Sequence, residues 1–343
     1  MFEVLKPGLE TTVQSLPGRI GFLERGFPCS GPADAWSFRL SNLLVGNHRD
    51  APALEWQFVG PTIRFLVDVR IALSGADVVA KLDDVVVPLW QTLPVRAGQT
   101  LVCAGAKTGA RGYIAISGGV VSPTILGSSA TFHMAGIGGP SVGALKKGDT
   151  VAIGAKGDDT PLSANASLCY TVPQAARPPI DAADRDRSDD RIAALLGPND
   201  AWLDAAGIAR FYDSDWTVLP QSNRTGIRLK GPAFTFAPCA YDKRPEHGTD
   251  PSNILDHGYP LGGISIAGQT PIVFVQDSPT AGGFIVPFTV PKADLWRLGQ
   301  ARPNETIRFK QVSLAEAQSA RRKIDALCQP EALRAVATSE CDF

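Results

Sequence analysis

Glycine and proline punctuate this chain more heavily than any other feature: 34 glycines and 27 prolines are scattered through it without a period. Such spacing favours short strands and turns over long helices. Between the breaks lie apolar-rich runs at Val59 to Phe65, Val69 to Leu73, Leu101 to Ala104 and Tyr113 to Ile116, which predict strands. Asp83-Asp84 ahead of Val85-Val86-Val87 predicts a turn entering a β-branched strand, and Asp149 to Gly154 has a similar form. One helix interrupts this half. Ser30-Gly31-Pro32 supplies a start, Trp36, Leu40, Leu43 and Leu44 form an apolar stripe suited to packing on a sheet, and Gly46 supplies a stop.

The second half repeats the pattern. Ile192 to Leu196 predicts a strand, Asp200 to Arg210 a short helix, and Thr217 to Leu219, Ile264 to Ile266, Pro271 to Val275 and Thr306 to Phe309 further strands. Ser313 and Glu316 have the spacing of a capping box, and the recurrence of Leu314, Ala317, Ala320, Ile324 and Leu327 predicts a closing helix. A length of 343 residues suits two domains. The expected organisation is a β domain over 1–160, a polar and proline-rich linker or exposed excursion over 161–190, and a second β domain with the closing helix over 191–343. Gln14-Ser15 before Arg19-Ile20-Gly21 is echoed by Gln221-Ser222 before Arg224-Thr225-Gly226, which hints that the two domains share a design.

Several functions are disfavoured. A formal net charge of −1 gives no electrostatic reason to bind nucleic acid. Neither an export signal nor a membrane-spanning run is evident, so a soluble cytoplasmic protein is expected. Six cysteines without a Cys-x-x-Cys pair and four histidines without ligand spacing predict no metal site. No phosphate loop or nucleophile elbow occurs.

The residues that could carry chemistry are polar groups beside glycines. Asp250 to Gly258 reads as a turn-rich segment in which Asn253 and Asp256 either hold a small polar substrate or satisfy their own backbone. Asp277 ends an apolar strand, and Gly282-Gly283 lets a ligand approach the backbone. Asn223-Arg224 is a compact donor group whose guanidinium suits a carboxylate, on a ligand or on a neighbouring side chain. Gly136 to Gly139 reads as a turn or an anion-binding nest. In the first half, Asp34 reads as a helix-start charge, Asn42 as a locally bonded residue on an exposed helix face, and Glu55 as either a buried or a rim carboxylate.

Taken in order, Leu5-Lys6-Pro7-Gly8, Thr11 to Gln14, Ser30-Gly31-Pro32-Ala33-Asp34, Asn42 to Asn47, Ala53-Leu54-Glu55, Ser117-Gly118-Gly119 and Gln221 to Gly226 resemble the carboxyltransferase A/B family. That family is also called allophanate hydrolase subunit 2, and it includes the Kip antagonist, the C component of 5-oxoprolinase and part of urea carboxylase. Pro251 to Asp256 and Gly282-Gly283-Phe284 look more like the urea carboxylase branch. The resemblance implies two cyclophilin-like β-barrel domains and a carboxyl transfer from carboxybiotin to urea or a similar amide or amidine. It implies biotin carried on a biotinylated carboxylase component, ATP used only by a partner, and a Kip-inhibitor-like subunit-1 protein completing the site. Under it, Arg224, Asn253 and Asp256 would be catalytic, and Asn223, Asp277, Gly282 and Gly283 would meet the cofactor. The alternatives are a component of an ATP-dependent 5-oxoprolinase and a non-catalytic regulator of that partner. The family commonly has Gln-Asp where Gln14-Ser15 stands and often a basic residue at Ser129, so specificity is expected to differ there.

Overall fold

The computed structural model describes residues 1–155, 169–181 and 190–336. They divide into two compact units: one takes in Met1–Ile20, Ser30–Asp184 and Lys323–Phe343, the other Gly21–Cys29 and Arg185–Arg322. Of the stretch expected to link domains, 161–168 and 182–189 lie outside the described residues. Within the remainder, Cys169–Thr171 is a strand paired antiparallel with Arg334–Val336.

The first unit is built on a nine-stranded sheet. Its spine is the pair Val69–Leu82 and Thr100–Ile116, antiparallel from Ile71 opposite Ile116 to Leu82 opposite Leu101. Sequence reading divides the second of these strands in two, at Leu101 to Ala104 and Tyr113 to Ile116. The structure corrects this to one 17-residue strand that runs through irregular pairing near Gly109, with Gly112 serving packing rather than breaking. At Gly112 a Cβ would lie 2.0 Å from the Trp56 indole, so only glycine admits that ring. The inward faces gather Phe2, Leu54, Trp56, Ile63, Phe65, Ile71, Leu101 and Ile114 into one core. Helix α1, Ala35–Leu44, buries Phe38, Leu40, Leu43 and Leu44.

The second unit has an eight-stranded sheet, with the strands Ile192–Leu196 and Phe309–Gln311 parallel and the remaining pairs antiparallel. Helix α2, Ala205–Asp213, contributes Phe211, whose ring stacks on Phe288 at 3.9 Å and on Phe309 at 4.5 Å. Burial of those rings with Trp216 and Phe234 fixes the helix to the sheet. Helix α3 covers Leu295–Gln300, and α4, Leu314–Leu327, whose residues from Lys323 on belong to the first unit, begins at the capping box that the sequence shows. There the Ser313 N–H donates to Glu316 Oε2 at 2.7 Å, and the Glu316 N–H reaches Ser313 Oγ at 3.3 Å. The described residues are therefore mostly strand, with four α-helices, in two barrel-like sheets. Among them, no helix is long and apolar enough to cross a membrane.

Candidate functional site

Buried polar groups in a β-rich protein are costly unless paired, so they mark what the fold was built to hold. In the second unit the chief example is Arg224 with Asp277. The strands Gly226–Lys230 and Thr270–Phe274 pair up to Gly226 opposite Phe274, and both residues lie just past that end. There the Arg224 Nε donates to Asp277 Oδ2 at 2.7 Å and its Nη2 to Oδ1 at 3.3 Å, with the Asp277 N–H bonding back to the Arg224 carbonyl at 2.8 Å. Both side chains are buried. A bidentate pair of this kind holds the carboxylate's plane as well as its charge. Beside it, Asn223 Oδ1 accepts the Thr225 N–H at 2.8 Å, an Asx turn that fixes the loop.

Asn253, Asp256, Gly282 and Gly283 share a two-stranded ribbon. The segment read as turn-rich is instead a strand, Asn253–Gly258, paired with Ala281–Phe284. Its turn is confined to residues just before, where Asp250 Oδ1 accepts from the Ser252 N–H at 2.8 Å and from Ser252 Oγ at 2.6 Å. Those hydrogen bonds hold the Asp250 carboxyl below its ordinary range. Asn253 lies opposite Phe284 and His257 opposite Gly282, so the first strand carries two extra residues between these pairs. A bulge of that size turns side chains out of the regular alternation, and Asp256 lies within it, exposed.

The paired glycines let side chains lie across the second strand. A Cβ at Gly282 would lie 2.6 Å from the Tyr259 ring and hydroxyl, and one at Gly283 would lie 3.0 Å from Asp256 Oδ1. Tyr259 is buried, accepts the Phe284 N–H at 2.9 Å, and packs on Phe274 at 4.5 Å. Burial raises its phenol above the ordinary value. Lys243 reaches the carbonyls of Asp250 and Asn253, the latter at 2.8 Å, and ties the turn to the ribbon. Lys243 and Tyr259 are not singled out by the sequence, and His257 enters there only as part of the polar segment Asp250 to Gly258. For Tyr259 the signal is present: an aromatic residue two positions after a histidine and ahead of a proline.

The first unit holds a second polar cluster around Glu55, which is fully buried. Its Oε2 accepts from the Ala33 N–H at 2.7 Å and the Tyr113 hydroxyl at 2.8 Å, and Arg111 lies 3.7 Å from Oε1. Burial and the adjoining carboxylate drive the Tyr113 phenol well up. Asp34 caps α1, accepting from the N–H groups of Trp36 at 3.1 Å and Ser37 at 3.0 Å. Asn42, expected on an exposed face, is fully buried: it donates to the Ala51 carbonyl at 2.9 Å and accepts from Asn47 at 3.0 Å. Gly136 caps a short helical turn, and Phe132 bridges Ile137 across it. Ser15 Oγ lies 3.4 Å from Ser128 Oγ. Among the described residues, no cluster of His, Cys, Asp or Glu could hold a metal ion.

A family model described as "Carboxyltransferase domain, subdomain A and B" matches residues 25–311. The chain is 36% identical over 330 residues to a urea amidolyase of Lachancea kluyveri, a match covering 95% of this chain and 18% of that protein. Against the C component of 5-oxoprolinase from Escherichia coli K12 the identity is 35% over 324 residues, covering 94% of each. The crystal structure of Kluyveromyces lactis urea carboxylase superposes with a TM-score of 0.86 at 33% identity, covering 98% of this chain and 30% of that one. The chain thus spans between a sixth and a quarter of the fungal relatives' length, with shares of 18%, 17% and 25%.

Proposed function

The chain belongs to the carboxyltransferase A/B family, and from that premise we propose that it moves a carboxyl group from carboxybiotin to urea or a similar small amide or amidine. The observation that carries this reading is the second unit's ribbon, where Asp256 lies against Gly283, Tyr259 against Gly282, His257 opposite Gly282 and edge-on to Tyr259, and Asn253 opposite Phe284. That set suits planar, neutral ligands with N–H donors and carbonyl acceptors on one edge, a description that fits both urea and the ureido ring of biotin.

Biotin, carried on a biotinylated carboxylase component, is the carboxyl donor in this reading. When bound, it supplies the activated carboxyl group. The residues of this chain do the rest. Asn253 orients the acceptor through its carboxamide, and the Asp256 carboxylate accepts an acceptor N–H. Arg224 and Asp277, locked together, keep a rigid wall whose fixed charges need no reorganisation during reaction. Asn223 presents its remaining amide donors beside that wall, and the absence of side chains at Gly282 and Gly283 lets the ring lie against the backbone. A Kip-inhibitor-like subunit-1 protein completes the site, and ATP is used by the carboxylase component.

A second reading has its own support: the Escherichia coli 5-oxoprolinase component is covered over 94% of its length, unlike the fungal proteins. One assay separates them. The chain, its subunit-1 partner and the carboxylase component are combined with ATP and bicarbonate, and ADP release is followed. Urea-dependent release abolished by avidin supports carboxyl transfer. Oxoproline-dependent release that ignores avidin replaces it with lactam opening. In the active assembly Asn253→Ala should abolish transfer.

A further inference from the structure

We propose that His257 is a catalytic residue, the general base that takes the proton from the acceptor nitrogen; this rests on the carboxyl-transfer reading above. Its Nε2 lies 3.0 Å from the Phe284 carbonyl oxygen. A carbonyl can only accept, so this nitrogen carries the hydrogen. In the neutral ring, Nδ1 is then the basic nitrogen with its lone pair in the ring plane.

One further contact fixes the ring's attitude. The imidazole stands edge-on to Tyr259, with centroids 5.2 Å apart and planes at 87°. Tyr259 in turn is bonded to the Phe284 N–H at 2.9 Å and packed on buried Phe274. Imidazole and phenol are thus both anchored to Phe284, and the basic nitrogen is oriented by groups that are themselves immobilised, which is what a positioned base requires. The other histidines are used differently. His48 Nδ1 accepts the Asp50 N–H and His133 Nδ1 the Ala144 N–H, both at 3.3 Å, whereas His247 buries its Nδ1. His257, half-buried on the ribbon opposite Gly282, offers the basic nitrogen at the strand where the acceptor is held.

As the acceptor nitrogen forms its bond to the carboxyl carbon, one of its N–H bonds breaks and the proton passes to Nδ1. The bond between that carbon and the ureido nitrogen of the donor breaks with its electron pair going to the nitrogen. The imidazolium then returns the proton to that ureido nitrogen, and both His257 and the carrier end neutral.

The first test needs no turnover. Long-range proton–nitrogen NMR on the full chain with labelled histidine, assigned by the signals lost in His257→Gln, should show the Nε2–H tautomer for His257; an Nδ1–H tautomer overturns the proposal. In the assembled complex, His257→Gln keeps an N–H for the Phe284 carbonyl but has no basic nitrogen. It should lower kcat by about 10²- to 10⁴-fold with little change in acceptor KM, and free imidazole should restore part of the rate to His257→Ala. An active wild-type complex with an equally active His257→Gln variant removes this proposal alone. A wild-type complex inert toward every urea-type acceptor removes the carboxyl-transfer reading and this proposal with it.

Discussion

Arg224 and Asp277 are 53 residues apart in sequence and joined by two side-chain hydrogen bonds of 2.7 and 3.3 Å, with neither side chain more than 5% exposed. Removing one member of the pair leaves the other's charge uncompensated by it. Asp277→Ala should cost about 3–5 kcal/mol of stability, because the guanidinium loses a buried counter-charge. Replacing both, as Arg224→Met with Asp277→Leu, should recover most of that loss while abolishing transfer. Urea or guanidinium denaturation of the single and double variants measures it; a single variant as stable as the parent would remove the pair from the unit's support.

Gly282→Ala tests the ribbon. The added methyl meets the Tyr259 ring at 2.6 Å, and overpacking of this order costs about 1–3 kcal/mol. The unit should remain folded by circular dichroism with the ribbon displaced, and carboxyl transfer should fall. Unchanged transfer would show that this strand does not face the substrate.

Thiol labelling should be graded by burial. Burial pushes Cys103 and Cys328 up to about 12, so at neutral pH they carry almost no thiolate. Cys239 is exposed. Peptide mapping after brief iodoacetamide treatment should find Cys239 alkylated and Cys103 and Cys328 intact until denaturant is added.

Acid stability follows from carboxylates whose folded pKa is depressed. Hydrogen bonds from Thr235 and the Gly207 N–H lower Asp204, those from Ser252 lower Asp250, and those from Ser313 lower Glu316. Each contributes stability fully above its unfolded value, ordinarily 3.8 for Asp and 4.5 for Glu, and loses it as pH falls through the folded value. Denaturation midpoints should therefore be flat from neutrality to about pH 5 and fall below about pH 4. The slope at low pH should be smaller in Asp250→Asn.

Local signals are legible in the sequence, and long-range ones are not. Ser313 and Glu316 announce the start of α4 because a capping box is closed within one turn, and the stripe on α1 is periodic for the same reason. Thr100–Ile116 reads as two strands because Gly105, Gly109 and Gly112 look like breaks until the Trp56 ring is seen to need the space beside Gly112. Asn42 is polar and so reads as exposed, but its partners Asn47 and Ala51 bury it. The partner of Arg224 is open between a ligand and a side chain, since nothing within a few residues chooses. The ribbon reads as a turn because Asp250, Pro251 and Ser252 are turn residues, whereas the strand that follows them is fixed by pairing with Ala281–Phe284.

The strand Cys169–Thr171 finds its partner only at Arg334–Val336, with the second unit's Arg185–Arg322 lying between them in the chain. Domains made in order on a ribosome usually close in order. Here the first unit cannot: synthesis must run through Val336 before its last hydrogen-bonded ladder can form, so the unit begun first is finished last, and a nascent chain cut short anywhere in the second unit leaves the first with an open edge.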